Sequence, residues 1–276
     1  MSATSAPPAL PIPSIPCGEI LRRAFALTLT HGLALVGAKF VIDIPYGMIS
    51  PGIQDPMISF RFSSFYEVFV SGFVTLGVYR CILRLEAEGT APTFSDVYAL
   101  GIGYYSRNFR MNVLFGCYFL LIALGCFVLL APGLWLNKYN RDYPSPPWFL
   151  AAGGLASTAL VSWWLLRTSF HNAVLCDGAK GATDAMDKTL ALTKGSALTL
   201  LPIGLTLGIM FSLVTFVSTF AEGVLFDQFD DLTLASARLV NLVFLMPLTL
   251  MEVFIVATMV LVYLHFRKHA GVRVEG

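Results

Sequence analysis

Charge is what this sequence has least of. Of its 276 residues only 13% are Asp, Glu, Lys or Arg, against roughly 25% in a soluble globular domain. Hydrophobic residues make up 56%, above the usual roughly 45–50%. Much of the surface must therefore face something other than water. The net charge of +1 supplies no basic field, which excludes nucleic acid as a partner. Cysteine is sparse and unpatterned: none of Cys17, Cys81, Cys117, Cys126 and Cys176 forms a C-x-x-C pair, so metal-ligand spacing is lacking and the thiols read as small hydrophobes. The N-terminal segment MSATSAPPALPIPSIP lacks a basic region followed by an apolar core, so it is not read as a secretory signal. Its Pro/Ala/Ser composition predicts a disordered tail over residues 1–17. Enzyme signatures are missing too: there is no G-x-S-x-G elbow, H-E-x-x-H pair, Walker loop or dinucleotide fingerprint, and Gly101-x-Gly103 is only a fragment. No catalytic residue and no cofactor is assigned.

What is present is long apolar runs. A bilayer core takes roughly 20 apolar residues as a helix. Six runs qualify, at about 33–50, 64–84, 109–131, 148–175, 197–220 and 236–266. The first is the weakest, interrupted by Lys39, Asp43 and Pro45, and reads either as a full crossing or as a half-embedded helix. The last contains Pro247 and predicts a tilt or kink. The fold class is all-α: a polytopic membrane protein of six transmembrane helices. The membrane domain spans 18–268 and a cytoplasmic tail 269–276.

Basic residues set the orientation. Arg22 and Arg23, then Arg80, Arg84, Arg107 and Arg110, then Lys180, Lys188 and Lys194, and finally Arg267, Lys268 and Arg273 flank one set of loops. The opposite loops hold only Arg61, Lys138, Arg141 and Arg238, a bias of three to one. Both termini are expected in the cytoplasm of a bacterial-type inner membrane. Trp135, Tyr139, Tyr143 and Trp148 read as an aromatic anchor at the outer interface, and the acidic segment 227–231 as a solvated outer loop without calcium-site spacing.

An internal repeat divides the domain. Residues 18–35 and 181–198 coincide at seven ungapped positions, among them Gly18/Gly181, Thr30/Thr193, Gly32/Gly195 and Leu35/Leu198. A looser copy starts near Phe94. Each copy has a hydroxyl, a base, then Gly or Asn: Thr30-His31-Gly32, Ser106-Arg107-Asn108 and Thr193-Lys194-Gly195. The preceding segments are amphipathic; in the third, Thr183 is a candidate cap, Asp184 and Asp187 suit the positive helix end, and Met186, Leu190 and Ala197 share a face. Gly32, Asn108 and Gly195 are thus predicted elbows, each ending an interfacial amphipathic helix and opening a transmembrane hairpin. The units are about 18–88, 94–176 and 181–268.

The apolar run closed by Pro132-Gly133, followed after the fourth span by the segment from His171 to Leu205, resembles the YciC-like inner-membrane proteins. It also resembles the membrane domain attached to some glycerophosphodiester phosphodiesterases. The likeness covers about residues 115–215 best and implies a six-helix inner-membrane protein with no catalytic residues to carry over. The polar insertion at 134–147 departs from that pattern.

Ionisable groups inside a bilayer are the remaining signal. Glu252 lies near the middle of the sixth span and Glu67 near the outer end of the second. Lys39 and Asp43 lie four apart and share a helix face. Arg167 and His171 fall in the inner half of the fourth. Two readings stand: an ion, proton or headgroup path, or paired locks between helices. Gly204 and Gly208, spaced G-x-x-x-G, predict close helix packing within the bundle or across a homodimer. The expected function is a non-enzymatic protein that organises the envelope through lipid contact or a membrane complex. The rival is a small transporter or channel using the intramembrane charges.

Overall fold

The computed structural model describes residues 15–53, 55–139, 147–228 and 234–269. Residues 1–14 of the N-terminal tail, most of the aromatic and acidic outer loops, and residues 270–276 of the C-terminal tail lie outside these residues, while Cys17 already opens a helix. The described residues form helices joined by short turns, in the order α1 (Cys17–Thr30), α2 (Gly32–Ile49), a 3-10 turn (Ser50–Gly52), α3 (Pro56–Tyr66), a π turn (Glu67–Ser71), α4 (Gly72–Glu88), α5 (Phe94–Tyr139), α6 (Pro147–Thr168), α7 (His171–Cys176), α8 (Ala182–Leu192), a 3-10 turn (Ala197–Leu200), α9 (Leu201–Gln228) and α10 (Leu234–His269).

Five of these stretches are long and apolar enough to cross a membrane: 32–49, 57–88, 94–128, 197–225 and 238–269. The most apolar 18 residues of the span within α5 have a mean hydropathy of 2.2, yet only 6% of them are buried in the protein. Leu120, Leu121, Leu124 and Phe127 on α5, with Ile209, Phe216 and Phe220 on α9, lie exposed. An apolar surface of that extent is incompatible with water and suits lipid. The fold is that of a multi-pass membrane protein.

Helix α1 buries Ile20, Ala24 and Thr28, one stripe at i, i+4 and i+8, and packs on α10. It breaks at His31 (φ −108°, ψ 17°), and Gly32 is already the first residue of α2 with ordinary helical geometry. The expected elbow at Gly32 therefore falls one residue earlier. Span one is a continuous helix of 18 residues that carries Pro45 internally.

Asp55 starts α3 by accepting from the N–H groups of Met57 (2.8 Å) and Ile58 (3.2 Å), with Pro56 in the first turn. The helix passes through the π turn into α4, which stops at Gly89 in the left-handed region (φ +70°). Thr93 and Asp96 then form a reciprocal box at the start of α5: the Thr93 N–H donates to Asp96 Oδ2 (2.9 Å), and the Asp96 N–H to Thr93 Oγ1 (3.2 Å).

Helix α5 corrects two expectations. It runs 46 residues without interruption, so Asn108 is helical rather than an elbow, and it continues past Pro132 to Tyr139. The reason lies in its seam with α4. Val97 and Met111 are fully buried, and Asn108 nearly so. A Cβ at Gly77 would stand 1.9 Å from the Val97 carbonyl oxygen, one at Gly101 2.3 Å from that of Phe73, and one at Gly72 3.1 Å from Asn108 Nδ2. The two antiparallel helices touch backbone to backbone, and the continuous seam holds the helix straight through Asn108. Gly204 and Gly208, expected at a helix contact, do not make one this close: a Cβ at Gly204 would meet only Leu166 at 3.8 Å, and at Gly208 nothing within 4 Å.

Helix α6 returns along α5. Cys126 faces the Ser157 carbonyl (4.0 Å), Phe115 meets Trp164 (4.3 Å between centroids), and the Tyr104 hydroxyl donates to the Cys176 carbonyl (3.2 Å). At that end α4, α7 and α10 close the core around Ile82, Phe170, Leu175, Val260, Tyr263 and Phe266. Helix α8 is preceded by Gly181, not capped by Thr183 as expected. Asp184 instead accepts from the Lys180 N–H (2.8 Å), and this bond, with the neighbouring Lys188, holds its carboxyl below the ordinary carboxylate range. Met186 and Ala197 are buried as one face of the unit.

The turn after α8 places Gly195 at φ +76°. A side chain there strains the backbone, so Gly195→Ala is expected to cost about 1–2 kcal/mol. Gly32, with ordinary φ and open space at Cβ, should tolerate alanine within about 0.5 kcal/mol. Unfolding of both variants in detergent checks the difference.

Candidate functional site

The site grows from two residues on α2. Lys39 and Asp43 lie one turn apart on the same face, and their side chains pair at 2.8 Å (Nζ to Oδ2). Both are buried, at 3% and 6% exposure, so a partner for the ammonium is obligatory. Two other segments complete it. The π turn brings Ser71 to the lysine, whose Nζ donates to Ser71 Oγ at 2.5 Å. From the middle of α10, Glu252 Oε2 pairs with the same Nζ at 2.8 Å. The three N–H bonds of Lys39 thus have three acceptors, Asp43, Ser71 and Glu252, on three different segments.

A second layer steadies Asp43. The Ser71 hydroxyl donates to its Oδ1 (3.3 Å), and Thr249 Oγ1, one turn before Glu252, lies 3.5 Å from Oδ2. The π turn matters here. It inserts one extra residue into an otherwise α-helical segment, with Glu67 at its start and Ser71 at its end. Gly72 follows because a Cβ there would stand 2.9 Å from the Glu67 carbonyl oxygen.

These groups border a cleft of about 400 Å3 between α3 and α10, with α2 at its base. Lys39, Asp43, Glu67 and Glu252 line it, with Tyr46, Phe60, Ser63, Ser64 and Tyr66. Glu252 is 39% exposed to it, whereas Lys39 is sealed beneath. Glu67 lines the cleft without an ion pair of its own among the described residues. The cleft therefore gathers three carboxylates and one ammonium, an excess of two negative charges when all are ionised. The aromatic wall is ordered: Tyr46 stacks on Phe62 (5.9 Å, 5° between planes), and its hydroxyl lies 2.8 Å from Ser63 Oγ. The Tyr66 hydroxyl donates to the Ile42 carbonyl. Among the described residues, no group of three His, Cys, Asp or Glu side chains is arranged to hold a metal ion.

Of the six polar residues singled out in the sequence, four converge here: Lys39, Asp43, Glu67 and Glu252. Arg167 and His171 do not join them. Arg167 donates to the Leu190 carbonyl (2.8 Å), while its own carbonyl accepts from Thr193 Oγ1 (2.9 Å), which ties α6 to the end of α8. His171 donates from Nδ1 to the Thr168 carbonyl (2.7 Å) and lies against Phe115 (4.5 Å). Both shape the corner between α6 and α8. Sequence reasoning passed over Ser71, Thr249, Tyr46 and Tyr66. Hydroxyls inside apolar helices are common, but Ser71 and Thr249 carried a signal, lying four residues after Glu67 and three before Glu252.

A second polar network sits at the far end of the bundle. Asp177 Oδ2 accepts from the Tyr263 hydroxyl and from Arg267 Nη1, both at 2.6 Å. Arg80 and Arg107 donate to the carbonyls of Cys176 and Ala179. These bonds tie α7 to α4, α5 and α10, so they read as structural. No protein-family model matches this chain, and no curated protein or solved structure matches it either.

Proposed function

We propose that this protein is a small multi-pass carrier or channel whose cleft binds an organic cation. The observation that carries the reading is Lys39 itself. It is a buried ammonium held by two carboxylates and a hydroxyl beside an open, aromatic-walled cleft that offers a further carboxylate. The cluster already stabilises one alkylammonium. A second one entering the cleft would meet the exposed Glu252 and Glu67, with the rings of Phe60 and Tyr46 beside it for cation–π contact. A metal ion fits less well, because Asp43 and Glu252 gather on the lysine rather than joining Glu67 around a common centre.

The topology we propose has six crossings, α6 being the sixth. Its 22 residues extend about 33 Å, a bilayer's thickness. The contacts from Phe115–Trp164 to Tyr104–Cys176 support it, because α6 returns the chain to the end from which α5 departs. The basic residues Arg80, Arg107 and Arg267 meet around α7 at that same end, and this supports a cytoplasmic placement there by the positive-inside rule. Inner-membrane residence and the YciC-like kinship belong to the same proposal.

Uptake of radiolabelled tetraethylammonium into proteoliposomes tests the function. The wild-type chain should give saturable uptake. Glu67→Gln should lower it about tenfold, the equivalent of about 1.4 kcal/mol, without a change in melting temperature. Uptake no greater than in protein-free vesicles would refute the proposal.

One observation favours the envelope-organising alternative. Phe25, Leu29, Leu33 and Leu198 are exposed beside the amphipathic helices α1 and α8 at the basic end. They suit insertion into one leaflet. In that reading Gly195→Leu disturbs assembly while Glu67→Gln does not.

A further inference from the structure

A second pocket, distinct from the charged cleft, lies where α1, α4 and α10 meet. Its volume is about 340 Å3. Its lining separates by depth. Glu86 stands two residues before the end of α4 and Lys268 one before the end of α10, and both helices close candidate membrane spans. Glu19 and Arg23 come from α1, four residues apart and so on one face. These four charges gather where the two candidate spans end. Leu261 lies seven residues before Lys268 on α10, about 10 Å deeper along the helix, and Leu264 lies between them.

We propose that this pocket binds a phospholipid bearing a phosphoethanolamine headgroup. The rim carries two carboxylates and two strong bases, so its charge is balanced, as the ligand's is. Arg23 Nη2 pairs with Glu86 at 2.5 Å, which shows that opposite charges meet across the pocket with nothing bound. A zwitterion can replace that pairing. Its phosphate goes to the forked guanidinium of Arg23 and to Lys268, its primary ammonium to Glu19 and Glu86, and an acyl chain follows Leu261 and Leu264 downward. Phosphatidylglycerol offers the carboxylates hydroxyls but no cation, and phosphatidylcholine has a cation but no N–H to donate. On the opposite flank of α1, Phe25 and Leu29 are 55% and 57% exposed, which seats the helix at the depth where such a headgroup lies.

Native mass spectrometry of the full chain, released from detergent micelles doped with one lipid at a time, reads this directly. Phosphatidylethanolamine should be retained about threefold or more over phosphatidylcholine and phosphatidylglycerol. Lys268→Gln and Glu19→Gln, both at exposed positions, should each erase that preference at unchanged melting temperature, while Arg23→Lys should keep part of it. Equal retention of the three lipids would overturn the proposal, as would a preference untouched in both glutamine variants. Free phosphoethanolamine retained as well as the lipid would overturn the lipid as occupant.

Discussion

Replacing Lys39 by methionine is expected to destabilise the fold by about 3–5 kcal/mol, the cost of leaving buried charge without its partner. Asp43 is nearly sealed and Glu252 half-covered, and both lean on the one ammonium. Methionine conserves the length of the stem, so the loss is electrostatic rather than a matter of packing. The same argument predicts a rescue. Lys39→Met combined with Asp43→Asn and Glu252→Gln removes all three charges and should recover most of the stability. Guanidinium or thermal unfolding in detergent, followed by circular dichroism, measures both variants. A single variant as stable as wild type would mean that the cluster is hydrated and not a buried lock.

The second large effect belongs to the seam between α4 and α5. A methyl group at Gly77 would fall 1.9 Å from a backbone carbonyl oxygen, which cannot rotate away as a side chain can. Gly77→Ala should therefore force the helices apart, at about 3 kcal/mol, the upper end of the usual overpacking cost. Gly208→Ala is the control. It meets open space, and alanine is the better helix former by up to about 1 kcal/mol, so stability should hold or rise. The reverse order of the two would show that the close contact lies on α9 instead. Because α4 adjoins the π turn, loosening at Gly77 should also reduce cation uptake.

The contrast between Gly77 and Gly208 shows where sequence reasoning reached and where it stopped. Long apolar runs and clustered basic residues made the membrane helices legible, since hydropathy is a property of a segment read alone. Lys39 and Asp43 were legible as a pair because helical spacing is local. Their meeting with Glu252, more than 200 positions away, follows only from how α10 packs on α2. Glycine spacing identified a plausible contact on α9 and missed the tighter one on α4, because a small residue marks a close approach only when another helix arrives there. The repeated hydroxyl, base and Gly or Asn triplet behaved differently in its three settings. Gly195 takes the left-handed conformation, His31 rather than Gly32 breaks the first copy, and Asn108 stays helical where α5 packs on α4. A local signal for a turn yields when tertiary contacts continue the helix.

The central claim is that an accessible, anionic cleft sits among the membrane helices. Thiol labelling at Ser64→Cys tests it most directly, with the rate corrected for the native cysteines measured on the parent chain. Ser64 lines the cleft and is exposed to it. A cationic methanethiosulfonate should react about tenfold faster than an anionic one of similar size, because the excess carboxylates concentrate it there. Tetraethylammonium should slow that reaction, and adding Glu67→Gln should shrink the ratio. Equal rates for the two reagents, unaffected by tetraethylammonium, would contradict the account.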